Sequence, residues 1–205
     1  EEGGPTRIAF TGDGLELVFE GQAGTGEKGL SASGDLTVKA QDLEPWLVTG
    51  GIVLPGGALG LPVNASAKLD VDGGVFVLSG IGGDFARSKV SGDVNAQMRD
   101  GLPHLTGSLG LQSFDLASVA ELATGAAALE GDGENWPSAP FAQRVATPFT
   151  AELELAVERL HAGWLAQADD ARMTLRVGTD GVALSDARAR VYGGARGDFG
   201  GRGAC

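Results

Sequence analysis

Regular alternation of apolar and polar residues dominates the chain, and it is clearest between Phe149 and Gly194. Two alternating runs are followed by a turn containing Asp180-Gly181 and by a third run that shifts phase near Asp186. Alternation with a period of two around an Asp-Gly turn predicts a β-hairpin, and a phase shift within a run predicts a β-bulge. The apolar positions are Ala151, Leu153, Leu155, Val157, Ala171, Met173, Leu175, Val177, Val182, Leu184, Ala187, Ala189 and Val191.

The first of these runs also fits a helix. Leu153, Val157, Leu160 and Trp164 fall at helical spacing, and the residues between them are good helix formers. We favour a strand, because the two runs that follow offer neighbours with which it can pair.

The same alternation recurs from Ile8 to Leu111, with Asp-Gly pairs between the runs. Local hairpins of this kind predict a mainly β fold, an antiparallel meander with one or two short helices. The helices are expected near 42–48 and 115–129, each beginning at an aspartate that can act as N-cap. We expect β-rich repeats over 1–130, a Gly/Pro-rich linker over 131–148 and a C-terminal β module over 149–205.

An internal repeat supports an extended sheet. The pattern Gly34-x-Leu36-x-Val38-x-Ala40-x-Asp42-Leu43 recurs between Gly107 and Leu116. In both places a strand that begins with glycine leads into an aspartate-capped segment. Repeats that each contribute a few strands predict an elongated, stacked sheet.

Composition narrows the classes of function. The chain has 205 residues, 42% of them hydrophobic, with 35 glycines and a net charge of −12. A duplex-binding protein needs a basic face, so this charge argues against nucleic acid, and equally against electrostatic docking to an anionic bilayer. The one cysteine, Cys205, allows neither an internal disulfide nor a cysteine metal site.

No motif for catalysis or metal binding is complete. The segment Gly24–Gly29 fits G-x-G-x-x-G, but no helix pattern follows it, so a hairpin loop is the better interpretation. The acidic residues resemble turn and solvated-loop residues, and the two histidines have no second ligand nearby in sequence. We therefore predict a protein that is not an enzyme and has no cofactor, catalytic residue or metal site. The residues considered are Asp70, Asp72, Glu158, Asp169, Asp170, His104 and His161.

The ends of the chain suggest a piece of a longer protein. It begins Glu1-Glu2-Gly3-Gly4 without an initiator methionine, and no apolar run approaches the roughly 18 residues that span a bilayer. No signal peptide pattern is present.

The stretch after Trp136-Pro137 and Pro148-Phe149 resembles the C-terminal module of the AsmA family. The resemblance covers Leu153–Gly163, Ala168–Val177, Asp180–Asp186 and the closing Ala189–Gly194. It implies a long, curled, taco-like or half-pipe β-sheet with an apolar inner groove. It also implies a periplasmic protein tethered to the inner membrane by an anchor upstream of Glu1. Members of the family are implicated in phospholipid transport between inner and outer membranes and in outer-membrane assembly, possible partners being outer-membrane assembly proteins.

The resemblance implies that the apolar positions of the C-terminal runs line a groove that binds lipid. Its expected lining residues are Leu153, Leu155, Val157, Met173, Leu175, Val177, Val182 and Leu184. The same residues fit an ordinary dry core equally well. A second hypothesis is a structural or interaction module, such as a β-solenoid-like surface fragment without a lipid role, and a third is a carbohydrate-active β-sandwich.

Overall fold

The computed structural model describes residues 3–26, 28–49, 60–116, 149–162, 166–178, 181–191 and 196–199. These residues form strands and one six-residue helix. The elements are β1 (Gly4–Gly12), β2 (Leu15–Gly26), β3 (Gly29–Ala40), α1 (Glu44–Thr49), β4 (Val63–Asp72), β5 (Val75–Phe85), β6 (Ser88–Arg99), β7 (Leu102–Asp115), β8 (Thr150–Ala162), β9 (Ala166–Gly178), β10 (Gly181–Val191) and β11 (Arg196–Phe199).

All of the strands belong to a single open sheet, and their order in space is their order in the chain. The prediction of a mainly β meander with a short helix is therefore confirmed. One joint departs from the antiparallel pattern, because β7 and β8 pair in parallel. A tight turn forces antiparallel pairing, whereas residues 117–148 separate these two strands and leave their relative direction free. The C-terminal end of β7 and the N-terminal end of β8 therefore lie at opposite ends of the two paired strands.

The structure resolves the ambiguity at Leu153 in favour of a strand. β8 pairs with β7 on one side and with β9 on the other, so its backbone is hydrogen-bonded in a sheet on both sides. The predicted bulge near Asp186 is also confirmed. The register of β10 against β9 shifts between Ser185 and Arg188, and Asp186 has a φ of 54°.

The first predicted helix, near 42–48, is confirmed as α1. The Asp42 carboxylate acts as its cap: Oδ1 accepts hydrogen bonds from the amide of Glu44 at 3.0 Å and from that of Leu61 at 2.9 Å. Of the second predicted helix, 115–129, Asp115 is the last residue of β7 and the remainder after Leu116 lies outside the described residues, as does the predicted linker.

The pairing register sorts the sheet into two chemically distinct faces. On one face, which we call the apolar face, rows of apolar residues run from strand to strand. One row, from β1 to β9, is Phe10, Leu17, Val38, Ala65, Gly83, Val90, Leu111, Val157 and Ala171. Another, from β2 to β10, is Ala23, Ala32, Val71, Phe76, Ala96, Leu105, Ala151, Val177 and Val182.

The opposite face, which we call the charged face, is covered by ion pairs between nearby residues. Their nitrogen–oxygen distances run from 2.7 Å for Arg7–Glu20 to 3.6 Å for Lys39–Glu16. These pairs are exposed, so each contributes little to stability. Because the pairs join opposite charges, they make this face solvated and leave many of its charged side chains beside a partner of opposite sign. The others are Lys28–Asp72, Lys68–Asp35, Lys89–Asp84, Arg176–Glu152 and Arg190–Asp170.

Glycines within the strands bring neighbouring backbones unusually close. A Cβ on Gly107 would overlap the carbonyl oxygen of Asp93, and the φ of Gly107 is 155°, a conformation that favours glycine. Gly21 and Gly34 face each other across β2 and β3 in similarly tight contact. These positions require glycine for backbone geometry, which explains part of the high glycine content.

Candidate functional site

The predicted groove residues all lie on the apolar face of β8–β10. In the pairing register, Leu155 lies beside Met173. Leu153 lies beside Leu175, which in turn lies beside Leu184 on β10. The three successive strands β8, β9 and β10 therefore present their apolar side chains as one continuous surface.

Most of that surface is packed rather than open. Leu155, Val157, Met173 and Val177 retain only 2–5% of their exposure. Half-buried apolar residues from β7, β8, β9 and β10, and Leu116 just after β7, pack around Leu155, Val157, Ala171 and Met173. We call this cluster the sealed core. Its surrounding side chains are Leu109, Leu111, Phe114, Leu116, Leu153, Leu160, Leu175, Leu184, Ala187 and Ala189.

A second part of the apolar face is covered by α1. Leu15, Ala40 and Val63 are buried beneath Leu43 and Trp46. The Trp46 ring meets the Phe10 ring edge to face, with centroids 5.4 Å apart and planes at 88°. We call this cluster the helix-covered corner.

Between these two clusters, the apolar face is open. Phe76, Phe85 and Met98 are 44%, 37% and 64% exposed on β5 and β6, and between them lie half-buried apolar residues. We call this surface the open strip: Phe76, Leu78, Ile81, Phe85, Val94 and Met98. Ile8 and Phe10 on β1 are exposed as well. Large exposed apolar residues on one surface indicate a contact site. The alternation in the sequence does not distinguish these positions from the buried ones.

The charged face offers little that resembles a reaction centre. Within the described part of the chain, no three His, Cys, Asp or Glu residues are placed to hold a metal ion, and no buried polar side-chain atom lacks a partner. The Arg176 guanidinium donates hydrogen bonds to the Glu152 carboxylate, and this contact raises the pKa of Arg176 above its usual value.

Of the other polar residues considered from sequence, Asp170 and His104 contact neighbouring strands. Asp170 pairs with Arg190 at 3.1 Å, and it sits at a bulge of β9 with a φ of 52°. The Nδ1 atom of His104 lies 2.7 Å from the Thr150 hydroxyl, across the parallel joint between β7 and β8. The Gly24–Gly29 segment lies where β2 ends and β3 begins, not before a helix.

Among the described residues, no helix has the length and apolar character needed to cross a membrane. Comparisons with protein-family models, with curated proteins and with solved structures find no significant match for this chain. Fold and surface chemistry therefore define the class of protein: an open, single-layer, amphipathic β-sheet with a partly uncovered apolar face.

Proposed function

We propose that this chain is the periplasmic part of an AsmA-like envelope protein that takes part in phospholipid transport between inner and outer membranes and in outer-membrane assembly. Its apolar face would carry the acyl chains, and an anchor outside the chain would tether it to the inner membrane. The observation that carries the proposal is the continuity of the apolar rows across the sheet, together with the open strip on β5 and β6.

An acyl chain is held on this face by the apolar area that it buries, and this binding requires no polar contact. Each CH₂ group removed from water contributes about 0.8 kcal/mol, so an acyl chain on the open strip is held without any specific hydrogen bond. Because neighbouring rows on this face are equally apolar, a chain can shift from row to row without meeting a charged side chain. Such a surface suits transport, which needs binding without a single deep site.

The proposal includes a non-enzymatic role. Covalent chemistry needs a nucleophile, a base or a metal held in a defined geometry. The described charged face instead uses its ionisable groups in pairs such as Arg7–Glu20 and Lys68–Asp35. Paired, exposed charges of this kind support the interpretation of the charged face as a solvated outer surface.

The proposal is tested by measuring the phospholipid that co-purifies with the 205-residue chain. The chain is produced in a bacterial periplasm, purified and extracted with organic solvent, and phospholipid is quantified by mass spectrometry. We expect co-purified phospholipid, and we expect the double variant Phe76→Asp/Met98→Asp to lose most of it. The matched control is Asn95→Asp/Gln97→Asp, on the charged face of the same strand β6. Absence of lipid from the parent chain, or equal lipid in both variants, would contradict the proposal.

A structural or interaction module is the second candidate. The exposed Ile8 and Phe10 of β1 favour it, because β1 is an edge strand with one neighbour and an exposed apolar face. This candidate expects a lipid-free chain that binds a protein through that edge.

A further inference from the structure

The fold gives the two methionines of the chain opposite access to solvent. Met98, near the end of β6, is 64% exposed, whereas Met173, inside the sealed core on β9, is 5% exposed. Oxidation of a side-chain sulfur depends on its exposure. A water-soluble oxidant therefore reaches the thioether of Met98 in the folded chain, and it reaches that of Met173 only when the sealed core opens.

The neighbours of Met98 leave its side chain uncovered. The register of β5 against β6 ends at Val75 and Gln97, so Met98 lies one residue beyond that pairing. Extending the register places Gly74 beside Met98, and a Cβ built on Gly74 meets nothing within 4 Å. On the other side, the register neighbour of Met98 is the exposed Pro103 of β7. Neither neighbour supplies a side chain that buries the thioether.

Oxidation of Met98 changes the chemistry of the open strip. The thioether is apolar, and its diagonal neighbour on the same face is Phe76, which lies opposite Ala96. A sulfoxide in the same place is polar and carries a hydrogen-bond acceptor. An acyl chain that lies over it offers no hydrogen-bond donor, so covering the sulfoxide costs desolvation free energy that covering the thioether does not. Oxidation at this one position therefore lowers the affinity of the open strip for apolar molecules.

We propose that Met98 is an oxidation site for peroxides and that its sulfoxide releases apolar ligands from the open strip. In this step the sulfur attacks one peroxide oxygen, the oxygen–oxygen bond breaks and a sulfur–oxygen bond forms. The sulfur is oxidised by two electrons, and hydrogen peroxide is reduced to water. The release of phospholipid rests on the proposed function, whereas the selective oxidation of Met98 rests on its exposure.

Peptide mapping tests the site of oxidation without any lipid. The 205-residue chain, with Cys205 alkylated so that the thiol does not consume oxidant, is treated with hydrogen peroxide and digested with trypsin after increasing times. We expect Met98 to be oxidised at least about tenfold faster than Met173, because the buried sulfur reacts only through local opening. In urea the two rates should become equal. Equal rates in the folded chain, or the same difference in urea, would overturn the assignment.

Binding of the neutral dye Nile red tests the effect on the open strip. The measured quantity is the ratio of bound dye after oxidation to bound dye before it, determined separately for each variant. We expect this ratio to fall about threefold or more in the parent chain, because a polar group enters an apolar surface. Met173→Leu should show the same fall, since it retains Met98. Met98→Leu, which has an apolar side chain of similar volume without a sulfur, should show none. An unchanged ratio in the parent chain, or an equal fall in Met98→Leu, contradicts the proposed effect.

Enzymatic reduction distinguishes the sulfoxide from irreversible damage. Methionine sulfoxide reductases A and B, one for each epimer of the sulfoxide, restore the thioether. We expect this treatment to restore dye binding to the oxidised parent chain. If the peptide map shows reduced Met98 and dye binding stays low, the sulfoxide is not the cause of the loss and the proposal is wrong.

Phospholipid carried by the chain from the periplasm is quantified in the same samples. We expect oxidation to remove it from the parent chain and not from Met98→Leu, and phospholipid that stays on the oxidised parent chain contradicts its release. A parent chain that carries no phospholipid before oxidation contradicts the proposed function instead. In that case the peptide map and the dye ratio still decide whether oxidation of Met98 controls the open strip.

Discussion

The sealed core and the open strip have the same chemistry in sequence but opposite surroundings in the fold. Met173 on β9 and Met98 on β6 both occupy the apolar face, yet Met173 is 5% exposed and Met98 is 64% exposed. The sealed core gains neighbours from four adjacent strands, β7–β10, whereas none of the described residues of β5 and β6 belongs to a cluster of buried apolar residues. A single sheet thus contains both a stabilising region and an uncovered one.

The difference assigns the two regions different tasks. Burial of apolar area provides most of the folding free energy, so the sealed core and the helix-covered corner hold the sheet together. The open strip contributes less to stability and leaves its apolar area for another molecule. Single substitutions in each region separate these tasks.

The largest difference in stability is expected between alanine variants of the two methionines, Met173 and Met98. Met173→Ala creates a cavity in the sealed core, and we expect it to lower the free energy of unfolding by about 2–5 kcal/mol. Met98→Ala removes exposed side-chain atoms and is expected to change it by less than about 0.5 kcal/mol. Urea denaturation followed by circular dichroism measures both. Equal losses would mean that the open strip is packed in solution.

A glycine at the boundary between the regions gives the next effect. Gly107 lies in register between Val94 of the open strip and Leu153 beside the sealed core. Gly107→Ala forces a side chain into a positive-φ conformation and against the Asp93 carbonyl, so a loss of about 1–3 kcal/mol is expected. Gly4→Ala is the control, since a Cβ there meets nothing within 4 Å. A Gly107→Ala variant as stable as Gly4→Ala would refute the close backbone approach.

The cap of α1 tests the helix-covered corner. Asp42→Ala removes the acceptor for the amides of Glu44 and Leu61 and is expected to cost about 0.5–2 kcal/mol. It should also expose Leu15 and Trp46, which an increase in binding of a hydrophobic dye would report. If Asp42→Ala leaves both stability and dye binding unchanged, α1 is not what covers this corner.

The smallest effect is expected on the charged face. Glu152→Gln breaks the pair with Arg176, whose nitrogen lies 2.8 Å from the carboxylate. Because both side chains are about half exposed, the unfolding midpoint should show no measurable change in buffer or in 1 M salt. A clear drop in the midpoint would show that the charged face stabilises the sheet, contrary to the division of tasks.

Much of the fold could be predicted because its causes are local. Alternation around Leu155 and Met173 sets the strands and their faces, and Asp42 before Glu44 sets the start of α1. The parallel joint of β7 and β8 was not predictable, since residues 117–148 separate those strands in the chain. Exposure was not predictable either: Met98 and Met173 follow the same alternation, and only the neighbours brought by the fold distinguish them.

Photo-crosslinking at three positions of the sheet tests most directly whether the open strip binds lipid. A photoreactive phenylalanine analogue is placed at position 98 on the open strip, at position 97 on the charged face, or at position 173 in the sealed core, and the chain is irradiated in cells. Adducts are identified by mass spectrometry. We expect phospholipid adducts at position 98 and none at positions 97 or 173. Equal labelling at 97 and 98, or no lipid adduct at position 98, would contradict it.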